Sequence, residues 1–205
     1  MPRGPVPNVV IRRLPLYLQT LERIAETGQQ MVSSTELGNR IGVSSAQIRK
    51  DLSYFGEFGR QGLGYEVGNL RHQLKRILQL DQVWHILLVG AGALGHALAN
   101  YRAFEEQDFA IVAVLDNDET KIGQPIGDLT IEPMANMERA VNENHVEIAI
   151  LAVPARAAQS VADALIATGV RSILCYAPIT LSVPEHVHVA YVDPVTTLQT
   201  MTYYL

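Results

Sequence analysis

One stretch near the middle of the chain restricts the fold more than any other. Residues 84–104 read WHILLVGAGALGHALANYRAF, an apolar run followed by three spaced glycines and a helical pattern. Gly90, Gly92 and Gly95 have the G-x-G-x-x-G spacing, in which the first permits a tight turn and the third lets helix and strand pack closely. The second glycine lets a pyrophosphate approach the backbone. The stretch therefore predicts the strand, turn and helix that open a dinucleotide-binding fold.

An acidic residue follows at the distance that this fold requires. A second apolar strand, FAIVAVLD, ends at Asp116, 21 positions after Gly95. A carboxylate there can accept hydrogen bonds from ribose hydroxyls and would repel a 2′-phosphate, which favours NAD over NADP. Asn117 and Asp118 extend the polar cluster. The alternative is an acidic turn residue with no ligand.

Further strands and helices alternate after this point. VEIAILAVP and VRSILCYAP read as buried strands, and ARAAQSVADALIATG between them reads as an amphipathic helix. This alternation predicts a parallel sheet, which binds ligands beyond the carboxyl ends of its strands. The expected cofactor-binding residues at those ends are Gly90, Ala91, Gly92, Ala93, Leu94, Gly95, Asp116, Asn117, Asp118, Ala152, Val153 and Pro154.

The first 82 residues have a different charge balance. They contain 11 Lys+Arg against 7 Asp+Glu, whereas residues 83–205 contain 5 against 14. A basic segment joined to an acidic one suggests that only the first faces a polyanion. Small charge differences between domains are common, however, so the charge alone decides little.

The same segment has the pattern of three short helices. Apolar residues recur at helical spacing from Leu14 to Ala25, and Ser33 with Glu36 is a possible capping box for a second helix that stops at Gly42. Ser44 or Ser45 can cap the third helix, whose inward side carries Ile48, Leu52 and Phe55. A tight Gly-Val turn between the last two helices indicates a helix-turn-helix.

The third helix and the glycine-rich segment after it are candidates for DNA contact. Arg and Lys suit the acceptors of guanine, and Gln suits adenine. EFGRQGLGYEV can form a hairpin wing, with Gly59, Gly62 or Gly64 at the bend and Arg60 along the backbone or in the minor groove. The alternative is a solvated helix face. The expected DNA-binding residues are Ser44, Ser45, Gln47, Arg49, Lys50, Tyr54, Arg60 and Gln61.

Two helical segments remain. NLRHQLKRILQL reads as a linker helix ending near Asp81, with cations that we expect to be solvated. The tail VDPVTTLQTMTYYL begins with an acid and a proline at a helix start, and its apolar stripe should pack on something. That surface could be the chain's own core or a partner subunit.

Other kinds of site are not indicated. The sequence shows no convincing set of catalytic residues, and His96 reads as a helix residue rather than a base. Neither His186 nor His188 has an acidic or cysteine ligand close in sequence, which makes a metal site improbable. Cys175 is the single cysteine and fits a small apolar core position. No apolar run reaches the roughly 18 residues of a membrane span, and no signal peptide is evident. We expect a soluble cytoplasmic protein.

Taken in order, these motifs resemble a known family. RKDLSYFGEFGRQGLGY, GAGALG, the DND cluster, LAVP, CYAP and the final VDP helix are similar to the redox-sensing transcriptional repressor Rex family, over nearly the entire chain. The RKDLSYFGEFG block is the most specific part. The dinucleotide fingerprint alone would not distinguish this family from a dehydrogenase.

The resemblance implies a fold, a partner and a mechanism. The fold would be α/β: a winged helix-turn-helix domain over 1–82, a Rossmann-type domain over 83–192 and a C-terminal helix over 193–205 swapped within a homodimer. Members repress respiratory and fermentative genes from operator DNA; NADH releases them, whereas NAD⁺ is compatible with binding. Tyr101 matches the family tyrosine near the nicotinamide, and Asp193 matches the acid at the start of the swapped helix.

Two positions depart from the family pattern. Some members have an arginine in the first helix that pairs with this acid, where the present chain has Gln19. Some have an aromatic residue after the acid, where this chain has Pro194. The sequence leaves open whether these residues alter the ion pair of the switch, and the general mechanism need not differ.

Three functions compete on the sequence. The leading hypothesis is a transcription factor, and the alternative is an NAD-dependent oxidoreductase with an accessory helical domain. The absence of a recognisable catalytic acid–base pair favours the transcription factor. A third hypothesis is a nucleotide-regulated dimeric scaffold that never binds DNA, against which salt-dependent binding to duplex DNA would argue.

Overall fold

The computed structural model of this chain describes residues 6–60 and 62–205. The chain divides into two compact units, with the boundary between Gln82 and Val83. Each unit has its own buried apolar cluster, and each is described separately.

The first unit is mainly helical. Its helices and strands, in chain order, are α1 (Asn8–Ile11), α2 (Leu14–Glu26), β1 (Met31–Val32), α3 (Ser34–Ile41), α4 (Ser45–Ser53), β2 (Gly59–Arg60), β3 (Gly64–Glu66) and α5 (Val67–Ile77). The three predicted helices are confirmed as α2, α3 and α4. The short helix α1 and the strand β1 were not predicted from the sequence.

Side-chain caps fix the starts of the two helices of the helix-turn-helix. Ser33 Oγ accepts from the Glu36 N–H at 3.0 Å, and Ser44 Oγ accepts from the Gln47 N–H at 3.2 Å. Ser44, rather than Ser45, is thus the cap of α4. Gly42 ends α3 in the left-handed region, with φ of +71°. Each cap satisfies a backbone donor that a helix start leaves unpaired.

The glycine-rich segment forms the predicted hairpin, but a third strand joins it. β3 pairs antiparallel with β2 on one side and with β1 on the other. Gly62 and Gly64 supply the positive φ values of the turn, at +81° and +83°, whereas Gly59 does not. Pairing with β1 attaches the wing to the segment between α2 and α3.

The helix predicted as a linker belongs to the core of the first unit. The Glu66 carboxylate accepts from the N–H groups of Gly68 and Asn69, so the helix begins at Val67, and it ends at Ile77. Leu70 and Leu74 are fully buried, and α5 packs against α2. The helix ends before the predicted end near Asp81, and its role as a linker stays a prediction.

The second unit is built around one sheet. Its helices and strands are β4 (Trp84–Val89), α6 (Ala93–Ala99), β5 (Phe109–Asp116), β6 (Pro125–Ile126), β7 (Leu129–Pro133), α7 (Met137–Asn144), β8 (Ile148–Leu151), α8 (Ala155–Ala167), β9 (Ser172–Cys175), β10 (His188–Tyr191) and α9 (Pro194–Thr202). β6, β7, α7 and β10 were not predicted as elements from the sequence.

The order of the strands is β10-β9-β8-β4-β5-β7-β6, and all pairs are parallel except that of β6 with β7. Without the edge strand β6, this is the doubly wound dinucleotide-binding order. After β4, the chain first adds β5 and β7 on one side of the sheet and then adds β8, β9 and β10 on the other side, so the order of strands reverses between β4 and β8. Leu87 and Val89 pack on one face of the sheet, and Ile86 and Leu88 pack on the other. Because β4 is buried on both faces of the sheet, its sequence from Ile86 to Val89 is an unbroken apolar run.

The C-terminal helix α9 does not join this core. It contains no buried residue, and the apolar side chains Val195, Leu198 and Met201 are each more than half exposed. Of the two surfaces considered for this helix, the chain's own core is thereby excluded. Within the residues described, no helix is both long and apolar enough to cross a membrane.

Candidate functional sites

The carboxyl ends of the central strands meet at the point where the strand order reverses. The Gly90 N–H donates to the Leu115 carbonyl at 2.8 Å, which ties the end of β4 to β5. On the other side, the Ala152 N–H donates to the Val89 carbonyl at 2.8 Å. The predicted groups at 90–95, 116–118 and 152–154 are therefore neighbours at one edge of the sheet.

The three glycines have different surroundings. A Cβ on Gly90 would lie 2.4 Å from the Ala152 carbonyl oxygen, and one on Gly95 would lie 2.0 Å from the Gly90 carbonyl oxygen. Gly90 also has φ of +107°. A Cβ on Gly92, in contrast, would meet no heavy atom within 4 Å. Two glycines are required by packing, while Gly92 borders open space at the start of α6.

Asp116 is buried beside this turn. Its carboxylate accepts from the Ala91 N–H at 2.7 Å and the Asp118 N–H at 2.8 Å, and Lys121 Nζ lies 3.2 Å away. Burial alone would raise the pKa of Asp116, but these hydrogen bonds and the ammonium outweigh it, so the pKa lies below its usual value. The carboxylate is therefore ionised and fixed against the glycine turn.

Lys121 was not identified from the sequence. Its ammonium also lies 3.6 Å from the Asp118 carboxylate, which itself binds the backbone and hydroxyl of Thr120. The hydrogen bond from the Thr120 hydroxyl is the main reason that the pKa of Asp118 is lowered. Asn117 is exposed. A lysine five positions after the acid carries no recognised motif, so only the loop geometry reveals it.

A cavity of about 1180 Å³ lies at the same edge of the sheet. It is lined by Leu94 in the first turn of α6, by residues 175–180 at and beyond the end of β9, and by the start of α9. Asp193 is at this start, where it caps α9 by accepting from the Val195 N–H at 2.9 Å and the Thr196 hydroxyl at 2.6 Å. The Thr196 hydroxyl is the main cause of a lowered Asp193 pKa.

Tyr101 lies beyond the far end of α6 from the glycine turn. It is exposed, and its ring packs edge-on against Phe104 with centroids 5.4 Å apart. Burial raises the pKa of Tyr176, a cavity residue, and electrostatic interaction with the Tyr101 hydroxyl raises it further. Cys175 is buried and lines the cavity, with a pKa raised by burial.

In the first unit, α4 presents its cations in different ways. Lys50 is exposed, whereas Arg49 Nη1 donates to Ser34 Oγ at 2.9 Å and is thereby turned toward the start of α3. A groove of about 590 Å³ separates α4 from the wing, and both Arg49 and Arg60 line it. Ser45 and Tyr54 are half-buried. Gln61 lies outside the described residues.

Gln47 is half-buried, and its side chain is engaged within the protein. Gln47 Nε2 donates to Asp51 Oδ1 at 2.6 Å, and Asp51 is also bound by Arg13 and Tyr17. The sequence reasoning missed Asp51 and both of its distant partners. The only available signal was an acidic residue among the apolar positions of an amphipathic helix.

Across residues 6–60 and 62–205, no three His, Cys, Asp or Glu side chains are grouped so that they could hold a metal ion.

Two family models match the two units. Residues 5–53 match the model described as the N-terminus of a putative DNA-binding protein, and residues 81–179 match the CoA binding domain model. The first covers the helix-turn-helix, and the second covers most of the sheet of the second unit.

Curated relatives match over nearly the whole chain. A redox-sensing transcriptional repressor Rex from Chloroflexus aggregans is 58% identical over 97% of this chain and 94% of its own length. The chain belongs to the Rex family. The Rex of Pelotomaculum thermopropionicum is 48% identical over 98% of this chain and 94% of its own length. These relatives are named as repressors and not as enzymes.

Solved structures of Rex proteins have the same fold. The Rex-family repressor RSP in complex with NAD⁺ and operator DNA is 37% identical, with a TM-score of 0.93, over 98% of this chain and 93% of that chain. RSP in complex with NADH is 35% identical, with a TM-score of 0.88, over 98% and 95%. The predicted fold class of a winged helix-turn-helix followed by a Rossmann-type sheet is confirmed.

Proposed function

We propose that this chain is a redox-sensing transcriptional repressor that binds operator DNA and is released by NADH, and that it thereby reports the NADH/NAD⁺ ratio. The observation that carries the proposal is the similarity to Rex repressors across both units, at up to 58% identity. RSP, of the same fold, has been solved with NADH and with NAD⁺ on operator DNA. The cofactors proposed for this chain are therefore NADH and NAD⁺.

The nucleotide would bind along the edge of the sheet. The open space beside Gly92 supports an approach of the pyrophosphate to the start of α6, where helix N–H groups are unpaired. Asp116 is ionised and lies against the same turn, which supports its role toward the ribose hydroxyls of the adenosine. The cavity beyond Leu94 offers room for the nicotinamide end.

The DNA would bind across α4 and the wing. Lys50 is exposed on the helix face that would enter the major groove, and it suits the acceptors of guanine. Arg49 and Arg60 flank the groove between helix and wing, which suits a phosphate backbone running between the two. The contacts proposed for Ser44, Ser45 and Tyr54 belong to the same surface.

The proposed assembly is a homodimer that exchanges α9. The helix exposes Val195, Leu198 and Met201, and an exposed apolar helix face of this kind marks a surface that binds a partner. A second copy of the chain would also place two recognition helices on a palindromic operator, with half-sites about one helical turn apart. Truncation before Pro194 should then leave a monomer, measured by sedimentation equilibrium. A truncated chain that remains dimeric would refute the exchange.

The proposed sensor lies at the nicotinamide end of the ligand. NADH and NAD⁺ differ by a hydride and by one positive charge on the nicotinamide ring, and a ligand shifts a conformation only by its differential affinity for the two states. Asp116 and the glycines meet parts that both ligands share. Tyr101, just beyond the end of α6, and Asp193, on the cavity wall, are the groups proposed to respond. Gln19 is exposed on α2 and carries no charge for an ion pair with Asp193.

The decisive experiment measures NADH affinity with and without saturating operator. Coupling of this kind is typically about 1–3 kcal/mol, or roughly 5–150-fold, and it is reciprocal. Operator DNA should therefore weaken NADH binding by the factor by which NADH weakens operator binding. Tyr101→Phe and Asp193→Ala should reduce this factor and leave cofactor-free operator affinity largely unchanged. Equal NADH affinities in both conditions would refute redox sensing.

A further inference from the structure

A fully buried carboxylate lies near the C-terminal end of the recognition helix α4. Asp51 is 0% exposed and binds four donor atoms. Arg13 Nε and Tyr17 Oη donate to Oδ2, each at 2.6 Å. Arg13 Nη2 and Gln47 Nε2 donate to Oδ1, at 2.9 and 2.6 Å. The bond from Tyr17 links α4 to α2, and the bonds from Arg13 link α4 to the residue just before α2.

The chemistry of this group fixes the orientation of the Gln47 amide. Burial would raise the pKa of Asp51, but the hydrogen bonds from Arg13, Tyr17 and Gln47 lower it, so the carboxylate is ionised. An ionised carboxylate only accepts hydrogen bonds, and it has about four lone-pair positions, all of which are filled here. Gln47 must therefore face Asp51 with its Nε2 group, which turns Oε1 away from Asp51.

Gln47 occupies the part of the helix that reads bases. It lies in the first turn of α4, with its backbone N–H bonded to the Ser44 cap, and it remains half-exposed. Arg13 and Tyr17 already supply three of the four bonds to Asp51, including a two-point guanidinium contact that compensates its charge. The bond from Gln47 is thus not required to neutralise the carboxylate, but it does restrict the amide.

We propose that Asp51 is a positioning residue that sets the base preference of Gln47. With Nε2 held by Asp51, Gln47 presents its carbonyl oxygen and one remaining N–H to the major groove. The oxygen and this N–H together match the amino group and N7 of adenine, whereas in guanine the oxygen would face O6, which is also an acceptor, so the arrangement favours adenine at the contacted base. This inference rests on the proposed function, because it requires operator DNA as the ligand.

The test is a selection of duplexes from a random library, carried out with the full chain and four variants. Wild type should prefer adenine at one position of each half-site by about 5- to 150-fold, the range of one good bidentate contact. Gln47→Ala should lose the preference at that position alone. In Asp51→Asn the new amide both donates and accepts, so Gln47 can turn over and the preference should relax toward keto bases.

Two further variants separate the positioning of the Gln47 amide by Asp51 from the effect of Asp51 on the stability of the fold. Tyr17→Phe removes one donor from Asp51 Oδ2 and leaves the Gln47 bond in place, so it should lower the unfolding midpoint without changing the base preference. In Gln47→Ala/Asp51→Asn, the second change should have no additional effect at the contacted position. A uniform loss of affinity in Asp51→Asn with unchanged preference, or additive effects in the double variant, would overturn the inference.

The wild-type protein provides a readout that does not depend on Asp51→Asn folding. One of the two Nε2 protons of Gln47, assigned by their loss in Gln47→Ala, should exchange with solvent more slowly than the other in an NMR experiment. Equally fast exchange of both protons would overturn the inference while operator binding and NADH release stand. Failure of wild type to enrich any duplex would overturn the proposed function, and the inference with it.

Discussion

Gly92 and Gly95 have different surroundings, so substitution by alanine is expected to have different effects at the two positions. Gly92→Ala adds a methyl group where no heavy atom lies within 4 Å, at a φ of −83° that alanine adopts without strain. Gly95→Ala adds the same methyl group 2.0 Å from the Gly90 carbonyl oxygen. The first variant should affect ligand binding and the second should affect folding, because only the first methyl group faces space that a ligand would occupy.

The contacts set the size of each effect. In Gly92→Ala the stability should be unchanged or rise by about 0.4–1 kcal/mol, since alanine restricts the unfolded chain. The methyl group would keep a phosphate from the backbone, and a hydrogen bond to a charged group is worth about 1.5–3 kcal/mol. NADH affinity should thus fall by roughly 10- to 150-fold. In Gly95→Ala, overpacking should cost about 1–3 kcal/mol or more in the free energy of unfolding.

Calorimetric titration with NADH and denaturant unfolding of both variants would check these values. Operator affinity without cofactor should be unchanged in Gly92→Ala, because the substitution lies outside the DNA-binding unit. Wild-type NADH affinity in a folded Gly92→Ala variant would refute the argument, since the phosphate could not then approach the backbone at this glycine.

Three more predictions concern charged residues. Lys50→Ala should cost about 1–3 kcal/mol of operator affinity at one base pair, whereas Arg60→Ala should weaken all duplexes evenly and reduce the salt slope, both measured by fluorescence anisotropy. Asp116→Asn should narrow the gap between NADH and NADPH affinities in calorimetry; equal affinities in wild type would contradict the ribose role. The pKa of Asp51 is lowered in the folded state, so its stabilising effect is present above the usual carboxyl pKa and is lost as the pH falls through the folded value. Unfolding midpoints of wild type should therefore drop more steeply in acid than those of Asp51→Asn.

The elements that the sequence predicted are those governed by near neighbours. The apolar run before Gly90 and the glycine spacing after it determine a buried strand and a tight turn, because burial on both faces and close backbone approach are local requirements. The serine caps and Gly42 similarly mark the ends of α3 and α4. Short strands such as β1 and β6, each of two residues, have too little periodicity to be recognised and form only by pairing.

The directions of the functional side chains were decided by the tertiary structure. Gln47 and Arg49 both read as outward-facing residues of α4, yet one binds Asp51 and the other binds Ser34 of α3. The sequence likewise does not show that Asp51 pairs with Arg13, just before α2, or that α9 leaves its apolar residues exposed. A repeating pattern specifies which side of a helix is apolar, but it contains no information about which distant donor will reach a given carboxylate. That depends on how α2 and α4 pack, and packing is a property of the folded chain.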